Sequence, residues 1–172
     1  RYDSAYYKHQ LKKNGVRVLS ATENISEGPE GIILESMLEG MAEYYSAELA
    51  VKVRRGQQEN ALKCRSNGGV LPLGYCVSKD HTFEIVPEKA AIVREIFTRY
   101  DGGEALQAIA NSLNKQGLRT QKGKEFRVSS LGKILRNRKY TGEYRYDTTV
   151  IPDGMPRIIE QDLFDRVQKR LD

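Results

Sequence analysis

The sequence predicts an α+β chain in three successive parts: the remnant of an α/β domain, a long connecting helix, and a mixed α/β domain with a helix-turn-helix-like element. Three observations support this prediction. Residues 1–28 have the pattern of helix, strand and loop, residues 29–65 keep an unbroken helical period, and residues 68–172 alternate short β-type segments with amphipathic helices.

The first part has too few strands to form a sheet. Residues 1–13 are predicted to form a helix that Asn14-Gly15 ends, residues 16–21 a β-branched strand, and residues 22–28 a polar loop. One strand cannot make a sheet, so we expect its partner strands upstream of Arg1. The absence of an initiator Met likewise predicts that the chain is part of a longer protein.

The long helix is predicted from Pro29 to about Arg65, with Asn67-Gly68-Gly69 as its stop signal. At about 1.5 Å per residue it would span roughly 55 Å, beyond an ordinary globular helix. It is either a core helix of one compact domain or a connector that also dimerises, and we favour the connector. The predicted dimer-interface residues lie in its apolar rows: Leu34, Met37, Leu38, Met41 and Tyr45.

The last part begins with a Gly/Pro linker over residues 68–75, which places the predicted domain boundary between residues 67 and 68. The predicted elements that follow are a hairpin of residues 76–77 and 83–86, helices over 87–100, 104–115 and 128–137, strands over 140–146 and 157–159, and a final helix over 160–171.

Charge is unevenly distributed along the chain, whose formal net charge is +5. Residues 1–50 carry five Lys/Arg against eight Asp/Glu, and residues 51–172 carry 23 against 15. The basic part indicates a polyanionic partner, although many solvated surfaces reach such a charge. The two cysteines make neither a disulfide framework nor a zinc site, no apolar run reaches membrane-spanning length, and a reducing cytoplasmic setting is expected.

The densest basic segment includes the two helices predicted over residues 104–115 and 128–137. Residues 115–145 hold ten Lys/Arg against Glu125 and Glu143. A helix pair with a cationic second helix is similar to a helix-turn-helix, here with a hairpin between the helices. The alternative is a solvated basic face. The predicted DNA-binding residues of this segment are Lys122, Lys124, Arg127, Ser129, Ser130, Lys133, Arg136, Arg138 and Lys139.

A second basic segment is formed by the end of the long helix and the small residues after it. Such a segment can follow a phosphate ridge and enter the minor groove, and the alternative is helix-dipole complementation beside a flexible linker. Its predicted DNA-binding residues are Lys52, Arg54, Arg55, Lys63, Arg65, Ser66, Asn67, Gly68 and Gly69.

Signals of catalysis are weak. His9 and His81 have no nucleophile at motif spacing. Glu35, Glu39 and Glu43 follow the i, i+4 spacing of helical metal sites, but no histidine accompanies them, and a solvated face is favoured. The sequence therefore assigns no catalytic residue, no metal and no cofactor.

Two sets of motifs follow one another along nearly the whole chain. The first set is Arg1-Tyr2-Asp3, Lys13-Asn14-Gly15-Val16, Ala42-Glu43-Tyr44-Tyr45-Ser46 and Val53-Arg54-Arg55-Gly56. The second set is Gly74-Tyr75, Ile85-Val86-Pro87-Glu88, Ile109-Ala110-x-x-Leu113-Asn114, Ile134-Leu135-x-Asn137 and Leu163-Phe164-x-x-Val167-Gln168. In these motifs and their order the chain resembles the large serine recombinases, which include serine integrases and transposon recombinases.

The resemblance implies a DNA strand exchanger whose serine forms a 5′-phosphoserine link while arginines stabilise the phosphate, without metal or cofactor. Residues 1–67 would be the end of a resolvase-type catalytic domain and residues 68–172 a recombinase domain. The nucleophile and the arginine cluster should lie before Arg1, so this part alone should bind DNA without cutting it. Implied partners are a double-stranded attachment site, a homodimer on a full site and a tetramer in synapsis, at the cytoplasmic nucleoid and with no membrane.

Two other functions stay open at this point: a dimeric DNA-binding transcription regulator and a structural dimerisation module. Binding to duplex DNA with a steep salt dependence would exclude the module. Arg136→Ala and Lys133→Ala are each expected to weaken binding to a half-site, and so is deletion of Gly68 or Gly69.

Overall fold

A computed structural model describes residues 2–16, 18, 25–26 and 28–171. The chain divides into two compact units, residues 1–55 and residues 56–172. Mixed helix and antiparallel strand confirm the predicted α+β class. The domain boundary between residues 67 and 68 stays a prediction; the compact unit that contains this position starts at Gly56.

The first unit contains helix α1, Tyr2–Lys13, and most of helix α2, Pro29–Leu62, both close to their predicted bounds. Lys8 of α1 joins the two helices, because its Nζ lies 2.6 Å from Glu35 Oε1 and 2.7 Å from Glu39 Oε1. Hydrogen bonds to Glu35 and then Glu39 raise the pKa of Lys8. Glu35 and Glu39 therefore act as counter-ions of Lys8. The predicted strand and the loop after it fall largely on residues outside the described part, namely 17, 19–24 and 27.

Helix α2 ends three residues before the predicted Arg65. Its end is a Schellman motif, in which Arg65 N donates to Asn60 O at 2.8 Å and Cys64 N to Ala61 O at 3.0 Å. Cys64 occupies the left-handed position of this motif, with φ 52°. Glycine usually fills that position, so the sequence placed the stop at Asn67-Gly68-Gly69 instead.

The second unit holds the remaining elements. In chain order they are β1 Tyr75–Val77, β2 Phe83–Ile85, α3 Pro87–Asp101, α4 Leu106–Lys115, α5 Val128–Leu135, a 3₁₀ helix Arg138–Thr141, β3 Tyr144–Tyr146, β4 Thr149–Ile151 and α6 Gln161–Leu171. The strands form two antiparallel hairpins, with Tyr75 opposite Ile85 in one and Tyr144 opposite Ile151 in the other.

The core of this unit is a single apolar cluster between the helices and the hairpins. Phe97 lies at its centre, with its ring 6.1 Å from both Tyr140 and Phe164. The Tyr75 ring stacks on Tyr140 at 5.9 Å, and its hydroxyl lies 2.8 Å from Pro156 O, so this buried tyrosine is also satisfied. Burial raises the pKa of both tyrosines.

Three predicted elements of the second unit are wrong in detail. Residues 157–159 form no strand; they are a loop whose Ile158 and Ile159 amides both donate to Tyr140 O at 2.9 Å. The strand predicted over residues 140–146 begins only at Tyr144, because a 3₁₀ helix precedes it. The helix predicted to reach Asn137 ends at Leu135, since the Asn137 side chain accepts from Lys139 N and starts the 3₁₀ helix.

Candidate nucleic-acid interface

One groove of about 730 Å³ lies along helix α5. Its walls are helix α5 and the residues just after it, the loop before α5 and the linker before β1. The lining residues are Val70, Pro72, Leu73, Thr120, Gln121, Lys122, Lys124, Glu125, Arg127, Ser129, Ser130, Lys133, Ile134, Asn137 and Tyr140. We call this the basic groove.

The loop wall of the basic groove is held in place by Asn114 on α4. Its Nδ2 donates to Phe126 O at 2.9 Å, and its Oδ1 accepts from Phe126 N at 2.8 Å. The Phe126 ring is buried in the core. Further along, Thr120 N donates to Lys124 O at 2.8 Å, which closes a tight turn. The hairpin-like connection predicted between the two helices is therefore present as an ordered turn, without assigned strands.

Helix α5 presents Ser129, Ser130 and Lys133 to the basic groove together with one apolar residue, Ile134. Leu131 and Leu135 are fully buried, which leaves Ser129 and Lys133 on the groove side. The Ser130 hydroxyl accepts from Arg127 N at 2.8 Å and lies 2.7 Å from Arg127 O. Ser130 therefore lines the groove but uses its hydroxyl to start the helix.

Four cations line the basic groove: Lys122, Lys124, Arg127 and Lys133. All are exposed, and none forms an ion pair with any residue that the structure describes. Glu125 is the acidic residue of the lining. Such a concentration of like charge in a concave surface creates a positive potential that attracts a polyanion.

The structure thus brings together six of the predicted DNA-binding residues: Lys122, Lys124, Arg127, Ser129, Ser130 and Lys133. Arg136, Arg138 and Lys139 do not line the groove. Arg136 lies just past the end of α5, and its Nη2 donates to Leu171 O at 3.2 Å, at the end of α6.

The linker residues line a different cavity, of about 550 Å³, beside the first hairpin. Ser66, Asn67, Gly68 and Gly69 contribute to it, but their polar groups are largely used within the fold. Ser66 N donates to His81 O at 2.7 Å, and Asn67 Nδ2 donates to Gln57 O at 2.8 Å. The Ser66 hydroxyl also accepts from Gly68 N at 3.2 Å. DNA binding by these linker residues stays a prediction.

Lys63 and Arg65 are exposed, outside the linings of both cavities. Three further predicted DNA-binding residues belong to the first unit, on the exposed surface of α2. Lys52 pairs there with Glu48 at 2.8 Å, and Arg54 and Arg55 are exposed.

The predicted dimer-interface residues are also on α2. Leu34, Met37, Met41 and Tyr45 are exposed by 41–62%, and Leu38 is half-buried.

Sequence reasoning missed several groove residues because their signal depends on the fold. Val70, Pro72 and Leu73 belong to the linker, and their place in the groove depends on the path that the linker takes. Thr120, Gln121 and Glu125 lie beside the predicted cations, so their inclusion required knowing which way the turn faces.

Within the described ranges, no helix is long and apolar enough to cross a membrane. The same residues contain no cluster of three or more His, Cys, Asp or Glu that could hold a metal ion.

Comparisons with known proteins find one family model and solved structures that match this chain. The family model Recombinase matches residues 87–172. A crystal structure of a large serine recombinase (LSR)–DNA complex matches with TM-score 0.57 and 20% identity over 70% of this chain and 37% of that one. A structure determined for the sequence requirements of the Listeria innocua prophage attP site matches with TM-score 0.56 and 20% identity, over 70% of this chain and 51% of that one.

The comparison with curated proteins gives no match. The chain spans about a third to a half of the length of the two solved structures, whose fold it shares. The family model covers half of the sequence, and it includes α3 to α6 and the loop wall of the basic groove. This chain belongs to the Recombinase family.

Proposed function

We propose that this chain binds attachment-site DNA as part of a site-specific serine recombinase, and that the basic groove is where it holds the duplex. The observation that carries the proposal is the convergence of four unpaired cations from two chain segments on one groove. Family membership supports recombination as the purpose of that binding and does not favour a transcription regulator.

The basic groove has the parts that DNA recognition requires. Cations neutralise phosphates and fix the register of the protein on the duplex. Short polar side chains at the start of a helix can reach base edges in the major groove, which is about 12 Å wide. Ser129 occupies that position on α5, Lys133 adds a cation in its last turn, and Lys122 and Lys124 extend the positive surface along the loop wall.

The linker and α2 support the remaining parts of the proposal. Gly68 and Gly69 expose backbone beside the basic segment and would follow the minor groove. The exposed apolar residues of α2, such as Met37 and Tyr45, would join two copies on a full site and four in synapsis. In the whole protein, a serine outside this chain would form the 5′-phosphoserine link, at the nucleoid in the cytoplasm.

A binding titration tests the proposal. The 172-residue chain is titrated onto duplex DNA between about 50 and 200 mM salt, and the affinity should fall steeply, because neutralised phosphates release counterions. Lys133→Ala should reduce the slope of log affinity against log salt by about one. Weak binding without salt dependence, or an unchanged slope for Lys133→Ala, would rule out the basic groove as the DNA site.

Deletion of Gly69 tests the linker separately. If the linker follows the minor groove, shortening it should weaken binding even though no charge is removed. Retained affinity would show that DNA binding depends on the basic groove without the linker.

A further inference from the structure

Helices α5 and α6 cap each other at their C-terminal ends. Gln168 Nε2 on α6 donates to Leu135 O, the last carbonyl of α5, at 2.8 Å. Arg136 Nη2, just past α5, donates to Leu171 O, the last carbonyl of α6, at 3.2 Å. Terminal carbonyls have no partner within their helix and carry partial negative charge, which a guanidinium complements. We call these two hydrogen bonds the helix-end clasp.

Helix α6 is anchored to the core of the second unit by packing and by an ion pair. Phe164 and Val167 are buried, and the Phe164 ring packs against Phe97 of α3 at 6.1 Å. Arg166 Nη2 also lies 2.9 Å from Asp101 Oδ2 at the end of α3. Because α6 is joined to the core in these ways, a helix end tied to α6 has a defined position relative to the core.

Helix α5 is short, so its orientation depends on how its two ends are held. Its eight residues span about 12 Å. The front end follows Phe126, which Asn114 holds by two hydrogen bonds, and the back end is held by the clasp. Lys133 lies within one turn of that back end, so a change of tilt there moves a groove-lining side chain directly.

We propose that Arg136 and Gln168 are positioning residues for DNA recognition: they set the tilt of α5 against the duplex, and neither contacts DNA. The inference rests on the proposed function, that the basic groove binds duplex DNA. It assigns Arg136 a role other than the phosphate or base contact that its charge suggested. Neither residue lines the groove.

Base contacts and phosphate contacts respond differently to a small tilt of α5. Hydrogen bonds to base edges need defined donor and acceptor positions, whereas a cation near a phosphate tolerates displacement. Loss of the clasp should therefore reduce discrimination between sequences, while the number of neutralised phosphates, and hence the salt slope, stays the same.

The experiment begins with a half-site selected by the wild-type chain from a random duplex library. Affinities for this duplex and for a scrambled duplex are measured by fluorescence anisotropy between about 50 and 200 mM salt. Arg136→Ala and Gln168→Met should each lower the ratio of the two affinities about tenfold, with an unchanged salt slope. The double variant should lose little more than either single variant, because both remove one device.

Two control variants and a stability measurement separate positioning from general damage. Gln161→Met, on the exposed side of α6, should keep the wild-type ratio, and Arg136→Lys, which retains a donor, should recover much of it. Titrations are run below the thermal unfolding transition of every variant, so that a lowered ratio reports the folded protein.

Two results would overturn the inference. A salt slope reduced by about one in Arg136→Ala would mean that Arg136 neutralises a phosphate. A wild-type ratio in Gln168→Met would mean that the clasp does not govern discrimination. In both results the wild-type chain is selective, so the proposed function survives; if the wild-type chain shows no selectivity or no binding, the proposed function and the inference fail together.

Discussion

Two surfaces of the second unit both carry several cations, but only one of them supplies those cations with partners. On the face formed by α3 and α6, Arg99 contacts Glu104 at 2.6 Å and Glu95 at 2.8 Å, and Arg166 contacts Asp101 at 2.9 Å. Arg170 lies 5.4 Å from the centre of the Tyr100 ring. We call this the paired face.

In the basic groove, no cation has a carboxylate partner among the described residues. The two surfaces therefore differ in whether their cations have partners within the protein. A paired cation has already exchanged hydration for a protein partner, whereas an unpaired one keeps its full field for an external anion.

The largest expected effect comes from reversing charge on each face in turn. Arg127→Glu with Lys133→Glu should lower DNA affinity at least a hundredfold, because each lost charged contact costs roughly 1.5–3 kcal/mol. The matched control is Arg166→Glu with Arg170→Glu, which changes the net charge by the same amount on the paired face. Mobility-shift titrations compare the two, and equal losses would mean that net charge alone governs binding.

A smaller effect tests whether the backbone geometry of the linker influences DNA affinity in addition to charge. Gly68 has φ +87°, which an L-residue adopts at a cost of about 1–2 kcal/mol. Gly68→Ala should therefore lower the free energy of unfolding by that amount, measured by chemical denaturation, and weaken DNA binding.

The matched control for Gly68→Ala is Gly132→Ala. Gly132 is within helix α5, and a Cβ there would meet nothing within 4 Å. Alanine should stabilise the helix by about 0.5–1 kcal/mol through its lower chain entropy. If both variants changed stability in the same direction, the left-handed geometry of the linker would not be the cause.

The smallest effect concerns the pH dependence of the paired face. Hydrogen bonding to Arg99 lowers the pKa of Glu104 below its ordinary value of 4.5. A lowered pKa in the folded state contributes stability above the unfolded pKa, and this contribution disappears as pH falls through the folded pKa. Glu104→Gln should therefore lower the thermal unfolding temperature at pH 7, and the difference from wild type should vanish in acid.

The same variant also tests the comparison between the two faces. DNA affinity of Glu104→Gln at pH 7 should equal that of wild type, since Glu104 and Arg99 do not line the basic groove. A clear loss of affinity would show that the paired face takes part in binding.

The structure confirms the predicted inward-facing residues of α4 and α5, because amphipathic periodicity depends only on the local sequence. Ile109 and Leu113 of α4, and Leu131 and Leu135 of α5, are buried as their spacing indicated. The charges of residues 115–145 also pointed to the loop and helix that form the basic groove.

By itself, the sequence determined the α+β class, the order of elements and which segment is basic, because these depend on side-chain type and local period. Tertiary structure decided where helices end and where side chains point: Cys64 takes the left-handed position that ends α2, and Asn114 holds Phe126. It also directed Arg136 to the end of α6 and left Lys133 unpaired in the groove. The physical reason is that hydrogen-bond partners distant in sequence become neighbours only after packing, and their availability decides which polar groups remain for an external ligand.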